Sequence, residues 1–294
     1  MKAILLSAVA VAAIAGPALA KPGPEVEIEH AVARVVVIVE DRADIGVEIE
    51  QGSSRLPALR VERRGDRVHI DGGLGRRMAG IRIGDHIRDC RSGPDRTRPG
   101  QGASVEVRSL GRINVDDAPL IVIRSPRAVN VDAGGAVFGS IGRGASAIEM
   151  GNGGCGDWVI ANTDGSVEVS SAGSGALTLG TSRSLDASLA GSGDLTAGAT
   201  GRLDLSIAGS GDASIVQVDG DADISIAGSG EAVIRRGRIP NLDISIAGSG
   251  DIDFGGSAGD VDVSIAGSGD IRIAEATGRV SRSIVGAGDI RIGR

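Results

Sequence analysis

The second half of the chain repeats one pattern of apolar and polar residues at a short, nearly constant interval. In the segment LDISIAGSGDIDF, residues 242–254, apolar residues and glycines alternate with polar and small residues, as in a strand with one buried face. Related phrases follow one another along the rest of the chain at this interval. The first glycines of the nine copies, of which the first two are weaker, are Gly135, Gly154, Gly173, Gly191, Gly209, Gly228, Gly248, Gly267 and Gly286.

A repeat of this length is typical of a solenoid, whose coils stack because no single coil can bury its own apolar face. We expect an all-β fold, a parallel β-helix (β-solenoid) of about nine coils with about 18–20 residues in each. Glycine occupies the inward position at the bend because the wall folds too sharply there for a side chain. Stacking then predicts an inner ladder of identical residues, formed by Ile207, Ile226, Ile246, Ile265 and Ile284.

The outward positions predict a flat wall of small, uncharged residues between two rows of carboxylates. Serine and alanine form the wall, as at Ser206 and Ala208. One acidic ladder consists of Asp186, Asp204, Asp223, Asp243 and Asp262, and the other of Asp194, Asp212, Glu231, Asp251, Asp270 and Asp289. We expect these carboxylates to close turns and to keep the surface soluble. The alternative is cation binding, because like charges this close repel one another; we assign no metal ligands and no cofactor.

Before the repeats, the sequence predicts further strands around an irregular insertion. Residues 26–50 alternate between apolar and polar side chains, which is typical of strands. A turn at Gly65 joins a predicted hairpin of Leu59–Arg63 and Arg67–Ile70. Residues 71–103 are rich in glycine, proline and arginine, and we expect a long loop without regular structure.

The start of the chain, positions 1–20, has the features of a secretory signal peptide, with Lys2, an apolar run and small residues at its end. We expect cleavage between Ala20 and Lys21, and therefore an exported protein, periplasmic or secreted. No later segment reaches the roughly 18 consecutive apolar residues that a membrane span needs, so we expect no transmembrane segment in the mature chain. The predicted domains are the signal peptide (1–20), an N-terminal β-rich cap region (21–112) with an Arg-rich insertion (71–103), and the repeat β-solenoid (113–294).

Charge is distributed unevenly along the chain. The formal net charge is −7, yet residues 55–112 hold 14 basic and 7 acidic groups. This basic region could meet an acidic surface, but we favour arginines that pair with neighbouring acidic residues. The acidic total gives no reason to expect a nucleic acid partner.

The two cysteines lie far apart in the sequence. Cys90 falls in the insertion, and Cys155 occupies an outward corner position, where the next coil has Ser174. A thiol on the surface seldom stays free in an oxidising compartment, so we favour a Cys90–Cys155 disulfide over two free thiols. Two cysteines with this separation make no zinc motif.

The sequence offers little for catalysis. Carboxylates are abundant, but they belong to regular ladders, and no coil stands apart as a cleft with paired acids. The histidines, His30, His69 and His86, all precede the repeats. Trp158 and Phe254 fall at inward positions, where we expect them to fill the core. We therefore expect no enzymatic activity and no catalytic residues.

The last coil departs from the repeat in a way that would cap the stack. Arg282 stands at the inward position that Val263 holds one coil earlier. A charge directed at the end of the core discourages another chain from adding strands. We therefore expect a monomer.

The AGSGD corners in their DISIAGSGDI-like context, preceded by the VEIEQ and LRVERRGDRVHI strands, resemble a bacterial family of auto-transporter adhesin heads, the GIN domain family. The resemblance covers about Val26–Arg294, and the Arg-rich insertion with Cys90 departs from it. It implies a secreted or periplasmic, adhesin-like β-solenoid, and it brings no catalytic residues.

Two functions from different classes follow from these observations. We favour a non-catalytic binding or structural module of the cell envelope, whose partner is an envelope or extracellular polysaccharide or another surface protein. The alternative is a polysaccharide-active β-helix enzyme, either a lyase or a hydrolase. An enzyme would need a coil whose outward residues break the ladders to form a cleft.

Overall fold

The structure of the chain is a computed structural model that describes residues 24–78, 81–85 and 87–293; side chains are described for 24–75 and 87–293. The predicted cleavage site at Ala20 and Lys21 lies outside the described residues, as does His86. About 67% of the described residues are in strands, and the described part contains no α-helix. The predicted all-β fold class is therefore confirmed.

Many short strands and a few long ones make up the fold. The strands that precede the repeats are β1 (Glu25–Val39), β2 (Gly46–Glu50), β3 (Arg60–Arg64), β4 (Arg67–Asp71), β5 (Gly75–Met78), β6 (Ile81–Asp85), β7 (Ile87–Arg91), β8 (Ser104–Val107), β9 (Gly111–Asn114) and β10 (Leu120–Ser125), with a 3₁₀ turn at Val115–Asp117. The strands of the repeats are β11 (Ala128–Ile141), β12 (Ala147–Gly154), β13 (Trp158–Ile160), β14 (Ser166–Gly173), β15 (Leu177–Leu179), β16 (Ser182–Gly191), β17 (Leu195–Gly209), β18 (Ala213–Val218), β19 (Ala222–Gly228), β20 (Glu231–Ile234), β21 (Arg238–Gly248), β22 (Asp251–Gly267), β23 (Ile271–Ala276), β24 (Val280–Gly286) and β25 (Ile290–Ile292).

Parallel pairing stacks the coils in a regular register. One sheet, here called the wall sheet, runs from β12 through β14, β16, β17, β19, β21 and β22 to β24. The second sheet runs from β13 through β15, β17, β18, β20, β22 and β23 to β25. Strands β17 and β22 continue through a bend and belong to both sheets. The β-solenoid of about nine turns that the repeat predicts is confirmed.

A strand that is distant in sequence also joins the stack. Strand β1 pairs in parallel with β11, with a bulge between Ile28 and Ala31. Between β1 and β11, residues 40–127 include the insertion, and they also supply β4 and β10, which pair in parallel with β1. The predicted hairpin is confirmed as β3 and β4, which pair antiparallel around Gly65. The domain boundary at residue 113 stays a prediction.

The alternation of inward and outward residues follows the predicted pattern. In β21, Leu242, Ile244 and Ile246 are buried, whereas Asp243 and Ser245 are exposed. The predicted isoleucine ladder is present as directly paired residues in neighbouring coils. Because identical branched side chains nest on one another, the core is closely packed without large aromatic residues in most coils.

The insertion contains more regular structure than the sequence suggests. The expectation of a loop without strands is wrong for the described part of residues 71–103, because β5 pairs with β6, and β7 forms a small sheet with β8 and β9. This small sheet covers outward apolar residues of β1 and β11, Val32 and Phe138, with its own Val105 and Val107. Sequence patterning predicts strands at Ser104–Arg108 and Ile113–Val115, but it misses β5, β6 and β7, which are short and lie in an arginine-rich segment.

The C-terminal coil has the unusual composition expected of a cap. Arg282 pairs with Val263, as predicted. Among the described residues no further strand covers the wall sheet beyond this coil, and Ile284 is 42% exposed and Val285 is 73% exposed. Whether the chain is a monomer stays a prediction.

Candidate functional site on the outer face of the coils

The outer face of the wall sheet is a flat surface of small side chains. Serines stack in direct register over seven coils, and alanines stack beside them over six coils. The serine column consists of Ser170, Ser188, Ser206, Ser225, Ser245, Ser264 and Ser283, and the alanine column of Ala172, Ala190, Ala208, Ala227, Ala247 and Ala266. We call this surface the Ser/Ala wall. It presents one hydroxyl in each coil at a spacing of about 4.8 Å.

An acidic column lies beside the wall and is longer than the sequence alignment indicates. The predicted aspartates, Asp186 to Asp262, pair in register as expected. Toward the N-terminal coils, the column continues through Glu168 and Glu149 to Asn130. Sequence reasoning missed these three residues because the first coils have lost the SIAGSGD phrase. Counting back from Asp186 by three successive repeat lengths could have found them.

The second acidic ladder has a structural role. The carboxylate of Asp212 accepts a hydrogen bond from the backbone N–H of Glu231 at 2.9 Å. Asp251 and Asp270 likewise accept the N–H groups of the next coil, at 2.8 and 3.1 Å. These aspartates tie successive corners together. That they also close the turn within their own corner stays a prediction.

The acidic column beside the wall lacks such partners at its central members. Within the described part of the chain, the carboxylates of Asp204, Asp223 and Asp243 form no hydrogen bond or ion pair. Burial raises the pKa of Asp223, and the nearby Asp204 and Asp243 raise it further. Burial and Asp204 raise the pKa of Asp186 in the same way. Repulsion between like charges therefore adds to the cost of burying Asp186 and Asp223, and Arg202 offsets part of it.

Neutralising one member of this column is expected to stabilise the protein at neutral pH. A raised pKa means that the folded state holds the proton more tightly than the unfolded state, so ionisation of Asp223 costs stability as pH rises through that pKa. Asp223→Asn should raise the free energy of unfolding at neutral pH by less than about 1 kcal/mol. The gain should disappear below the ordinary aspartate pKa of 3.8. Thermal unfolding across this pH range measures it.

The control for this measurement is Asp219→Asn. The pKa of Asp219 is lowered by hydrogen bonds from the Gln217 side chain and the Arg238 N–H, so its neutralisation should lower stability at neutral pH. Destabilisation by both substitutions alike would contradict the assignment of repulsion to the column beside the wall.

A second group of polar side chains lies at the N-terminal end of the wall. The parallel pairing of β1 with β4 places His69 opposite Glu27, with 3.4 Å between Nδ1 and Oε2. One ligand atom from each of Glu27, Glu29 and His69 lies within 4.8 Å of the others, so these three could hold a metal ion. The two glutamates border a hollow of about 410 Å³ that also includes Asp132 and the top of the serine column. We call the three residues the Glu/His cluster.

Sequence reasoning does not find the Glu/His cluster because its members lie far apart in the sequence, on strands that no repeat aligns. The alternation of β1 places Glu27 and Glu29 on one face. Only the parallel register of β4 with β1 shows that His69 lies beside these glutamates.

The other candidate residues from the sequence have structural positions. Cys90 and Cys155 form the predicted disulfide, which joins the insertion to an early coil. Trp158, Phe138 and Phe254 are all buried, so no aromatic ring of the described residues is exposed for stacking on a sugar. Several arginines of the basic region pair locally as favoured, for example Arg91 with Asp89. Arg96 instead reaches Asp194 in the repeats at 3.3 Å.

The fold and its outer face define the class: a repeat β-solenoid with a long, regular surface and a disulfide-linked N-terminal insertion. Residues 196–293 match the model of the family described as "Putative auto-transporter adhesin, head GIN domain". This match confirms the resemblance inferred from the corners, over the last third of the chain. No curated protein matches the sequence. Among the described residues, no helix has the length and hydrophobicity needed to cross a membrane.

Proposed function

We propose that the chain is a non-catalytic, adhesin-like binding module of the bacterial envelope that holds an extended ligand along the Ser/Ala wall. The observation that carries this proposal is the wall itself, in which seven serines stack without a charged or large side chain between them. Each hydroxyl can both donate and accept a hydrogen bond. A linear ligand with regularly spaced hydroxyl groups is complementary to this surface.

The ligand class we propose is an envelope or extracellular polysaccharide, and a strand of another surface protein is the alternative. Because all three aromatic side chains are buried, the wall would recognise a sugar chain by hydrogen bonds and by shape. Such contacts are individually weak, so binding strength would come from repetition over several coils. The family description, an adhesin head, supports a binding function of this kind.

We also propose an extracytoplasmic location, periplasmic or secreted. The Cys90–Cys155 bond supports it, since disulfides persist in oxidising compartments. Export by cleavage between Ala20 and Lys21 is part of the same proposal. A mature N-terminus at Lys21, measured by mass spectrometry of the natural protein, is the expected result.

The Glu/His cluster favours the enzyme as a second candidate. It is a set of outward residues that breaks the regular ladders, and its two glutamates border a hollow, which is what a polysaccharide lyase or hydrolase would need. In that function Glu27 or His69 would exchange a proton with the sugar.

Retention on immobilised envelope polysaccharides, combined with analysis of the eluted sugar, tests both functions. Binding without depolymerisation supports the module, and short products that disappear in His69→Gln would establish the enzyme. Ser206→Arg should reduce retention because it places a long charged side chain on the wall. Thr196→Arg is the matched control, since Thr196 lies on the same strand but faces outward from the second sheet. Equal retention by the wild type and both arginine variants would exclude the wall as the binding surface.

A further inference from the structure

We propose that the upper part of the acidic column is a binding site for calcium ions. The site is a groove of about 790 Å³ along the outer edge of the wall sheet. Its carboxylates belong to Glu149, Glu168, Asp186 and Asp204. Small residues line its other side, and Asn130 and Arg202 lie at its two ends. We call it the acidic groove. The proposal does not depend on the Ser/Ala wall or on any polysaccharide.

The side chain that points most directly to a ligand is Asn130. It stands in the acidic column, on the outward side of β11, and borders the groove. It is nevertheless only 4% exposed, and neither its amide oxygen nor its amide nitrogen has a hydrogen-bond partner among the described residues. A buried amide without partners is costly, and native structures rarely keep one without a reason. A cation in the groove would give the Asn130 oxygen a partner.

The difference between the two acidic ladders supports the same conclusion. Both have one carboxylate in each coil, but the second ladder uses its carboxylates to accept backbone N–H groups. In the acidic groove, Asp186 and Asp204 have no such hydrogen bond within the described residues. Like charges from neighbouring coils repel one another at this spacing, and a bound cation would relieve that repulsion. These two aspartates tie no corners together and are therefore available for ligand binding.

The donor atoms favour calcium over other cations. Carboxylate and amide oxygens are the ligands that calcium takes, at distances of about 2.3–2.6 Å and in flexible geometry. Carboxylates from coils about 4.8 Å apart can therefore reach one ion between them. No histidine or cysteine of the described residues borders the groove, so a zinc-type donor set is missing there. Arg202 closes one end with a positive charge, which places the ion toward Asn130.

Calorimetric titration of the folded protein with calcium chloride alone, at physiological ionic strength, tests the proposal. The wild type should bind saturably, and Asp186→Asn should weaken binding by at least about tenfold, because it removes a ligand charge. Asn130→Ala should weaken it as well. The matched control is Asp251→Asn, which removes the same charge from the second ladder but keeps an oxygen to accept the N–H of Asp270. It should leave calcium binding unchanged.

The following results would overturn the proposal. Equal weakening by Asp186→Asn and Asp251→Asn would mean diffuse attraction by the surface charge. Unchanged binding in a folded Asn130→Ala variant would place the ion elsewhere. Binding of spermidine without binding of calcium would assign the groove to organic cations. If Asn130→Ala does not fold, Asn130→Asp should bind calcium more tightly than the wild type, and weaker binding by that variant would count against the site.

Discussion

Replacement of Gly228 by alanine is expected to destabilise the solenoid by about 3 kcal/mol or more. Gly228 has φ of 140°, a conformation that side chains with a Cβ rarely adopt. An added Cβ would lie 2.1 Å from the carbonyl oxygen of Gly209 in the preceding coil, which is backbone and cannot rotate away. Because each coil rests only on its neighbours, damage in a central coil weakens the whole stack. Urea unfolding measures the loss.

The control for this substitution is Gly65→Ala. Gly65 also has positive φ, 61°, but an added Cβ would meet nothing within 4 Å. Its cost should therefore be the backbone term alone, about 1 kcal/mol. Similar losses for Gly65→Ala and Gly228→Ala would show that the corner tolerates a side chain, contrary to the close approach of the stacked backbones.

The regular part of the fold could be predicted because stacking makes each residue type serve the same purpose in every coil. Inward isoleucines, outward serines and corner glycines recur in many copies. Both the repeat length and the alternation of inward and outward positions therefore follow from the sequence. The corner at Gly228 shows that neighbouring repeats contain this information. Successive copies of one phrase supply both Gly228 and the carbonyl oxygen of Gly209 that it approaches. No pairing beyond that of neighbouring repeats had to be guessed.

The rest could not be predicted because it depends on pairings that no repeat encodes. The register of β1 with β4, which brings His69 to Glu27, joins segments that share no pattern. The packing of β7, β8 and β9 over Phe138 could not be predicted either, because Phe138 occurs in a weak copy of the repeat like any other residue there. The Glu/His cluster lies in this irregular region, where no repeat could have placed its members side by side.

The two acidic ladders show a finer limit of sequence reasoning. Asp204 and Asp212 occur in one phrase and look alike in the alignment. Only their hydrogen bonds separate them: Asp212 accepts the N–H of the next coil, and Asp204 accepts none from the described residues. A single interpretation for all the aspartates therefore overlooks that one ladder links successive corners and that the central members of the other form no such bond.

Loss of the disulfide is expected to have the second large effect on stability. The bond closes a loop across 65 positions, which the chain-entropy model values at about 4 kcal/mol. This figure is an upper value, because Val105, Val107 and Phe138 already pack the insertion against the first coils. The double variant Cys90→Ser/Cys155→Ser should therefore lose about 2–4 kcal/mol of unfolding free energy. Urea unfolding measures this value.

The region that loses stability distinguishes loss of the disulfide from general destabilisation of the fold. Hydrogen exchange should accelerate in β7 and β8, which the bond holds to the repeats, while β19 and β21 in the central coils keep their protection. Reduction of the wild type under native conditions should give the same exchange pattern without any substitution. Faster exchange throughout the solenoid would instead mean that the bond supports the coils themselves. An unchanged unfolding free energy would mean that packing and the Arg96–Asp194 ion pair suffice to hold the insertion.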